Sequence, residues 1–196
     1  MKRYIKAKIS DLSDESYGTL REIAGDENTS PEVLVQIANL HNSGVSKLNI
    51  PYAELLTNPN TPEATLRTLY ERNHWLSEYI AKNPSISTEF IDELINDVIS
   101  KGHDDDELFI QLSFNPKTTA KQLKRITDYV LERHNAGHIM WYLIRNDKFP
   151  ASALQKLVHH RKFAWMESLT IGFAHDHPNA TPSIKAYLEK TYPGYF

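Results

Sequence analysis

The residues best suited to chemistry lie between Lys117 and Lys162. This tract holds ten lysines and arginines and three acidic residues, Asp128, Glu132 and Asp147. Cations at this density can neutralise phosphates, so a nucleic-acid interface is one interpretation. Its candidate residues are Lys117, Lys121, Lys124, Arg125, Arg161 and Lys162. The chain as a whole carries a formal charge of −3, which argues against general nucleic-acid affinity.

Histidines and acidic residues are the next candidates, as metal ligands. His134 and His138 are four apart, and His175-Asp176-His177 offers imidazole and carboxylate groups of the kind that bind zinc. No full four-ligand pattern is present, and the turn-forming residues 135–137 separate the first pair, so surface or internally bonded histidines are favoured. The run 103–107 lacks the ligand spacing of a calcium loop and favours a helix N-terminus. We therefore expect no metal and no cofactor.

Large aromatic residues are the third set of candidates, because they can stack on bases or bind a peptide. Most of them fall on the shorter predicted helices: Trp75, Tyr79, Trp141, Tyr142, Phe163 and Trp165. Aromatics at repeat interfaces more often belong to the core. The sequence has no G-x-S-x-G, no phosphate-binding glycine-rich loop and no H-E-x-x-H, so it favours a non-enzymatic role.

These residues are positioned by a sequence that repeats. Its turn anchors are Pro31, Pro62, Ser87, Thr119, Pro150 and Pro182, with spacings of 31, 25, 32, 31 and 32 residues. Seven residues before the first five anchors stand Ala24, Leu55, Ile80, Leu112 and Leu143, and four after them stand Val35, Leu66, Ile91, Leu123 and Leu154. A period of this length is typical of stacked helical repeats.

The corner between two helices has its own signature, best seen at 58–63. Asn58 is expected in the left-handed conformation that ends a helix, and Pro59 cannot continue one. Thr61 is predicted as the N-cap and Pro62 as the first helical residue. Asparagine stands four residues before the anchor in four consecutive corners: Asn58, Asn83, Asn115 and Asn146. We interpret these asparagines as corner caps; a ligand-binding ladder of asparagines is the alternative.

The predicted fold is all-α, a single solenoid domain of about five to six helix pairs. Residues 1–24 are expected to form an N-terminal cap with a short extended stretch at 4–9, and 41–50 the longest connecting loop. The repeats occupy 25–174, and 175–196 form a C-terminal capping repeat and tail. In this register Ala186 and Glu189 stand where the last repeat should have apolar residues.

The corner 58–63, followed by Leu66 and Leu69, resembles the leucine-rich repeat variant, a HEAT-like class of helical repeat. Weaker copies begin at Asn83 and Asn115. The resemblance implies a scaffold and not an activity. Most units here are longer than the compact variant repeat, and the cysteine cluster beside it in some members is missing, so no redox role is carried over. HEAT-like DNA glycosylases use a concave basic surface, and by this analogy base chemistry accompanies the nucleic-acid alternative.

A charge ladder between repeats is the competing interpretation of the basic tract. Glu89, Asp92 and Glu93 occupy the same outward positions in one repeat as Lys121, Lys124 and Arg125 in the next, so their charges would face each other. The favoured function is recognition of a protein or peptide partner by second-helix residues. These are Arg67, Glu89, Asp92, Glu93, Lys121, Lys124, Arg125, Lys156 and His160.

Composition sets the remaining bounds. An apolar fraction of 40% with 24% charged residues is ordinary for a globular protein, and zero cysteines exclude disulfides and thiolate metal sites. No window is apolar enough for a membrane span, and the basic start at residues 1–8 lacks the apolar segment of a secretory signal. A cytoplasmic location without membrane contact is therefore expected, and the oligomeric state is left open.

Overall fold

The computed structural model of the chain describes Leu12, Phe163 and residues 15–40, 50–102, 105–133, 136–160 and 168–196. All regular structure within these residues is helical, which confirms the all-α prediction. The chain divides into two compact units, Met1–Ser87 and Thr88–Phe196. The predicted extended stretch at 4–9 and most of the predicted loop 41–50 lie outside the described residues.

The described part of the first unit holds five α-helices. They are α1 (Tyr17–Gly25), α2 (Pro31–Asn39), α3 (Tyr52–Thr57), α4 (Glu63–Arg72) and α5 (Ser77–Lys82), with a 3-10 turn at His74–Leu76. First helices pack on first helices, α1 on α3 and α3 on α5, while α2 packs on α4. Leu55 and Leu66 are fully buried, and each buried leucine stabilises the fold by about 1.5–3 kcal/mol. Helices this short are unstable alone, so the packing holds them.

The second unit repeats the arrangement. Its described helices are α6 (Thr88–Lys101), α7 (Asp106–Phe114), α8 (Ala120–Leu131), α9 (Ala136–Leu143), α10 (Ala151–Val158), α11 (Ser168–Asp176) and α12 (Pro182–Thr191), followed by a 3-10 turn at Pro193–Tyr195. One layer stacks α6, α8, α10 and α12 in order, and α7 packs on α9. Within each unit like helices therefore stack on like.

The corner asparagines are not left-handed, contrary to the sequence expectation. Asn58, Asn83 and Asn115 all have extended backbones, with φ between −67° and −69° and ψ between 121° and 126°. The side chain makes the turn instead, because its Oδ1 accepts the N–H two residues on, at 2.9 Å for Asn58 and 2.8 Å for Asn83. This is the Asx-turn geometry that asparagine and aspartate favour.

In the first unit, the amide ends of Asn58 and Asn83 reach a different repeat. Asn58 Nδ2 donates to the carbonyls of Ala24 and Asp26, at 2.8 and 3.0 Å. Asn83 Nδ2 donates in the same way to Leu56 and Asn58, both at 2.8 Å. Each of these side chains thus ends its own helix and also hydrogen-bonds carbonyls at the end of the first helix of the preceding repeat. The capping interpretation was right but incomplete.

The second unit uses the same hydrogen bonds, and in its last corner a histidine makes them in place of an asparagine. Asn146 Nδ2 donates to the Ser113 carbonyl at 2.7 Å. His177 takes the place of asparagine in the last corner: its Nδ1 accepts from the Asn179 N–H at 3.0 Å, and its Nε2 lies 3.1 Å from the Asn146 carbonyl. This pair of contacts requires the proton on Nε2. His177, singled out as a possible metal ligand, is therefore a buried corner residue.

The corner residues correct the repeat register at both ends of the chain. Asp26 begins the first corner, with its Oδ1 accepting from Asn28 N–H at 2.8 Å, and His177 begins the last. The matching anchors are Ser30 and Thr181, one residue before the Pro31 and Pro182 of the sequence analysis. In the corrected register Leu188 falls seven after the anchor and is fully buried. Leu188 therefore supplies the apolar residue that Glu189 seemed to replace, whereas Lys185, four residues after the corrected anchor, is polar and half-buried.

Thr61 differs from its predicted role as N-cap. Its hydroxyl donates to the Leu55 carbonyl at 2.5 Å, and α4 begins at Glu63, one residue after Pro62. Thr29 makes the equivalent bond to Ile23. The hydroxyl therefore ties the corner to the end of the preceding helix, a role that threonine propensities alone do not reveal.

Candidate binding surface

The second-helix residues predicted to bind a partner are largely engaged with one another. In the first unit, Arg67 pairs with Glu63 on the same helix at 2.8 Å. Glu63 also accepts the N–H and hydroxyl of Ser87, at 2.6 and 2.9 Å. Partial burial tends to raise the pKa of Glu63, but these hydrogen bonds outweigh it and leave the pKa below its ordinary value.

In the second unit, one rung of the predicted charge ladder is present. Arg125 on α8 reaches Asp92 on α6 at 2.8 Å and also donates to Asn96. Lys124 does not take part in this rung, because it bonds Asp128 one turn along its own helix, at 2.6 Å. A pair between the two charge groups is therefore present at Asp92–Arg125, whereas Lys124 pairs within its own helix.

A second rung, which the sequence analysis did not predict, continues the ladder to α10. Asp128 accepts from Lys124 and, at 2.7 Å, from Lys156. Partial burial tends to raise the pKa of Asp128, but the two ammonium groups outweigh it and hold the pKa below the usual aspartate value. We call Asp92–Arg125 and Lys124–Asp128–Lys156 the ion-pair network. Half-exposed pairs of this kind stabilise a fold by at most about 1 kcal/mol each.

The remaining predicted site residues are scattered over the same layer. Glu89, Glu93, Lys117 and Lys121 are exposed, and His160 is half-buried. Arg161 and Lys162 lie outside the described residues. The structure thus joins four of the predicted residues in two groups of ion pairs. Asp92 pairs with Arg125, and Lys124 and Lys156 share Asp128. Whether any member of the predicted set touches a partner stays a prediction.

Other sequence candidates have local structural roles. The Asp105 carboxylate caps α7 by accepting the Leu108 N–H at 3.1 Å, as the capping interpretation of 103–107 requires. His175 Nδ1 contacts Asp176 at 2.8 Å and its Nε2 contacts Glu189 at 3.0 Å. Within the described part of the chain, no three potential metal-ligating side chains cluster.

Four aromatic residues of the second unit form a chain of ring contacts that reaches the surface at Phe114 and Phe173. Phe114 on α7 lies 5.8 Å from Tyr142 on α9, Tyr142 lies 4.7 Å from Trp141, and Trp141 lies 6.4 Å from Phe173 on α11, between ring centroids. Phe114 and Phe173 remain 54% and 39% exposed. We call these four residues the aromatic strip. It crosses three successive first helices, whereas the sequence interpretation assigned such aromatics mainly to the core.

The polar groups of the aromatic strip are hydrogen-bond donors. The Arg145 guanidinium lies over both Trp141 and Phe173, 4.6 and 5.6 Å from the ring centroids, which are cation–π distances. Trp141 Nε1 is buried and has no hydrogen-bond partner among the described residues. His138 packs edge-on against Tyr142 at 5.2 Å. Together with Arg145, the strip therefore presents the residue types that dominate binding hot spots, tryptophan, tyrosine and arginine.

Phe114, Arg145 and Phe173 were missed in the sequence analysis, although a signal existed. Counted from the corner residue, Tyr142 and Phe173 both stand four residues back, while Phe114 and Arg145 both stand one back. The one-residue error in the last anchor moved Phe173 out of this alignment. The correct register shows aromatic or cationic residues recurring at the same two positions.

Comparison of the chain with protein-family models, with curated proteins and with solved structures finds no match. The similarity to leucine-rich repeat variants therefore stays an interpretation of the corner motif. Of the helices that the structure describes, none combines the length and apolar character needed to cross a membrane.

Proposed function

We propose that this protein is a non-enzymatic binding module, an α-solenoid of helix-pair repeats that offers a preformed surface to a protein or peptide. The solenoid is supported by like-on-like helix stacking within each unit and by the cross-repeat amide bonds. A surface held this firmly loses little entropy on binding. The observation that carries the proposal is the aromatic strip, because its exposed phenylalanines are linked through the half-buried rings of Trp141 and Tyr142, and clustered apolar surface often marks a binding site.

The strip and the ion-pair network suit different roles. Charges in the network already have partners, so a ligand would have to break an ion pair to use them. Phe114 and Phe173 expose apolar surface to water, and covering it would be favourable. We therefore place the main contact on the first-helix layer of the second unit. Exposed second-helix residues such as Glu89 and Lys121 would supply charge complementarity at most.

A peptide-library selection tests this function. Random peptides are displayed on phage and selected on the wild-type protein and on the double variant Phe114→Ala/Phe173→Ala. We expect enriched sequences on the wild type that the double variant does not retain. Failure to enrich any peptide, or equal enrichment on both proteins, would contradict the proposal.

Nucleic-acid binding through the basic tract is the second candidate, and less supports it. Lys124 and Arg125 are engaged in ion pairs, whereas Lys117 and Lys121 are exposed. A gel-shift titration at several salt concentrations separates the two functions, because phosphate contacts weaken steeply as salt rises. Retardation of DNA or RNA at low salt that is lost in Lys117→Gln/Lys121→Gln would favour this candidate.

A further inference from the structure

We infer that the aromatic strip takes an extended, proline-rich peptide in the polyproline II conformation. This inference rests on the proposed function and names the class of partner. Three properties of the strip support it: the orientation of its rings, its hydrogen-bonding groups and its charge.

The planes of neighbouring rings in the strip are nearly perpendicular. Interplanar angles are 79° between Phe114 and Tyr142, 88° between Tyr142 and Trp141, and 89° between Trp141 and Phe173. Perpendicular neighbours present ring faces and edges in alternation, and these surfaces can hold the compact, rigid ring of proline. A polyproline II helix rises about 3.1 Å per residue, so a segment of at most about six residues spans the strip. Such a segment is extended before binding and loses little entropy.

The hydrogen-bonding groups at the strip suit a ligand that is rich in acceptors. Arg145 and the Trp141 indole can only donate, and the Tyr142 hydroxyl can donate as well. Proline lacks a backbone N–H, so a proline-rich segment presents carbonyl oxygens alone. The exposed Arg145 guanidinium is the donor that such carbonyls can reach, because Trp141 Nε1 is buried.

The charge of the strip favours a peptide over single-stranded nucleic acid. Among the described residues, the cation–π contacts to the strip come from Arg145, and two aromatic rings already engage its guanidinium. A nucleic-acid strand needs several free cations along its backbone. A neutral ligand with regularly spaced rigid rings meets no such requirement.

The direct test is a titration of fluorescein-labelled decaproline followed by fluorescence anisotropy. The proteins are the wild type, Phe114→Ala/Phe173→Ala, and the control Trp75→Ala, which removes an exposed aromatic of the first unit that lies outside the strip. We expect saturable binding to the wild type, at least tenfold weaker binding to the double variant, and binding within twofold of wild type for the control. A labelled glycine-serine decamer should not bind. If the double variant does not fold, the single variant Phe173→Ser takes its place.

Three outcomes would overturn the inference. Decaproline could bind the double variant as well as the wild type, or not bind at all. If it does not bind while the phage selection yields strip-dependent peptides without proline, the ligand class is wrong and the binding function stands. If sedimentation shows a wild-type dimer that the double variant does not form, a second copy of the chain occupies the strip instead.

Discussion

The first helices of the two units place different side chains at the same repeat positions. Four residues before each corner residue stand Glu22, Glu54 and Tyr79 in the first unit, and Gln111, Tyr142 and Phe173 in the second. Glu54 pairs with Arg21 at 2.5 Å, whereas Tyr142 and Phe173 belong to the aromatic strip. The repeat fixes where a side chain stands, and the residue type at that position decides whether the surface is charged or aromatic.

The corners show the opposite behaviour, because they are chemically alike in both units. Asn83 in the first unit and Asn146 in the second each turn their own chain and donate to carbonyls of the preceding corner region. The corner position is therefore confined to side chains that accept the N–H two residues on, Asn at four corners with Asp26 and His177 at the ends, whereas residues on the outer face are free to differ.

The largest effect should come from the framework. Asn83 is fully buried, and Asn83→Ala leaves two carbonyls and the Ser85 N–H without their side-chain partner. Unpaired buried groups cost about 1–3 kcal/mol each, so we expect the free energy of unfolding to fall by about 2–4 kcal/mol. Urea denaturation followed by circular dichroism measures it. Asn60→Ala, at a part-exposed corner amide, is the control with a smaller expected loss.

A residue on the outer face can be substituted without changing the corner residues that build the repeat. Phe173→Glu gives the second unit the residue type that Glu54 has at the equivalent position of the first. Phe173 is 39% exposed, so the melting temperature should change little, while peptide binding should weaken at least tenfold. Thermal melts and the anisotropy titration measure the two quantities. Unchanged affinity would show that the difference between the units is not functional.

The last corner tests whether histidine and asparagine are equivalent there. His177→Asn keeps one acceptor for Asn179 N–H and one donor for the Asn146 carbonyl, so stability should stay within about 0.5 kcal/mol of wild type. His177→Ala loses both bonds and should cost about 1–2 kcal/mol. Equal losses in the two variants would mean that the imidazole packs there and does not act as a corner cap.

The ion-pair network should contribute less. Asp128→Asn removes two partly exposed pairs and is expected to cost at most about 1 kcal/mol at neutral pH. Because the folded pKa of Asp128 lies below its unfolded value, the stabilisation is present above the ordinary aspartate pKa of about 3.9 and is lost as pH falls through the lower folded value. Denaturation at pH 7 and pH 3 checks the sign. A difference from wild type that grows on acidification would contradict it.

The smallest effect concerns His175. Hydrogen bonds to Asp176 and then Glu189 raise its pKa, against smaller opposing effects of partial burial and of Lys185. The added stability is therefore present below the ordinary histidine pKa of about 6.5 and disappears as pH rises through the raised folded value. Comparing His175→Gln with wild type should show a deficit of a few tenths of a kcal/mol at pH 6 that vanishes by pH 9. A constant deficit would indicate packing against Phe196 instead.

The sequence was sufficient to predict the all-α fold and the helix–corner–helix repeat, because those follow from local signals such as Asn-Pro turns and helical apolar spacing. It could not show that Asn58 and Asn83 donate to another repeat, since that contact joins residues 25 to 34 apart in the chain. The charge pattern set the acidic group 89–93 opposite the basic group 121–125 without naming partners, and it did not predict Lys156 beside Asp128, because side-chain length and helix stagger determine which residues pair. The aromatic strip required the corrected register and the packing of three helices.

Backbone amide shift mapping tests the central claim most directly, namely that the partner meets the aromatic strip and not the ion-pair network. A ¹⁵N-labelled protein would be titrated with a peptide enriched in the phage selection. The account predicts shifts clustered on α7 near Phe114, on α9 around Tyr142 and on α11 around Phe173. Shifts clustered instead on α8, around Lys121 to Arg125, would contradict it.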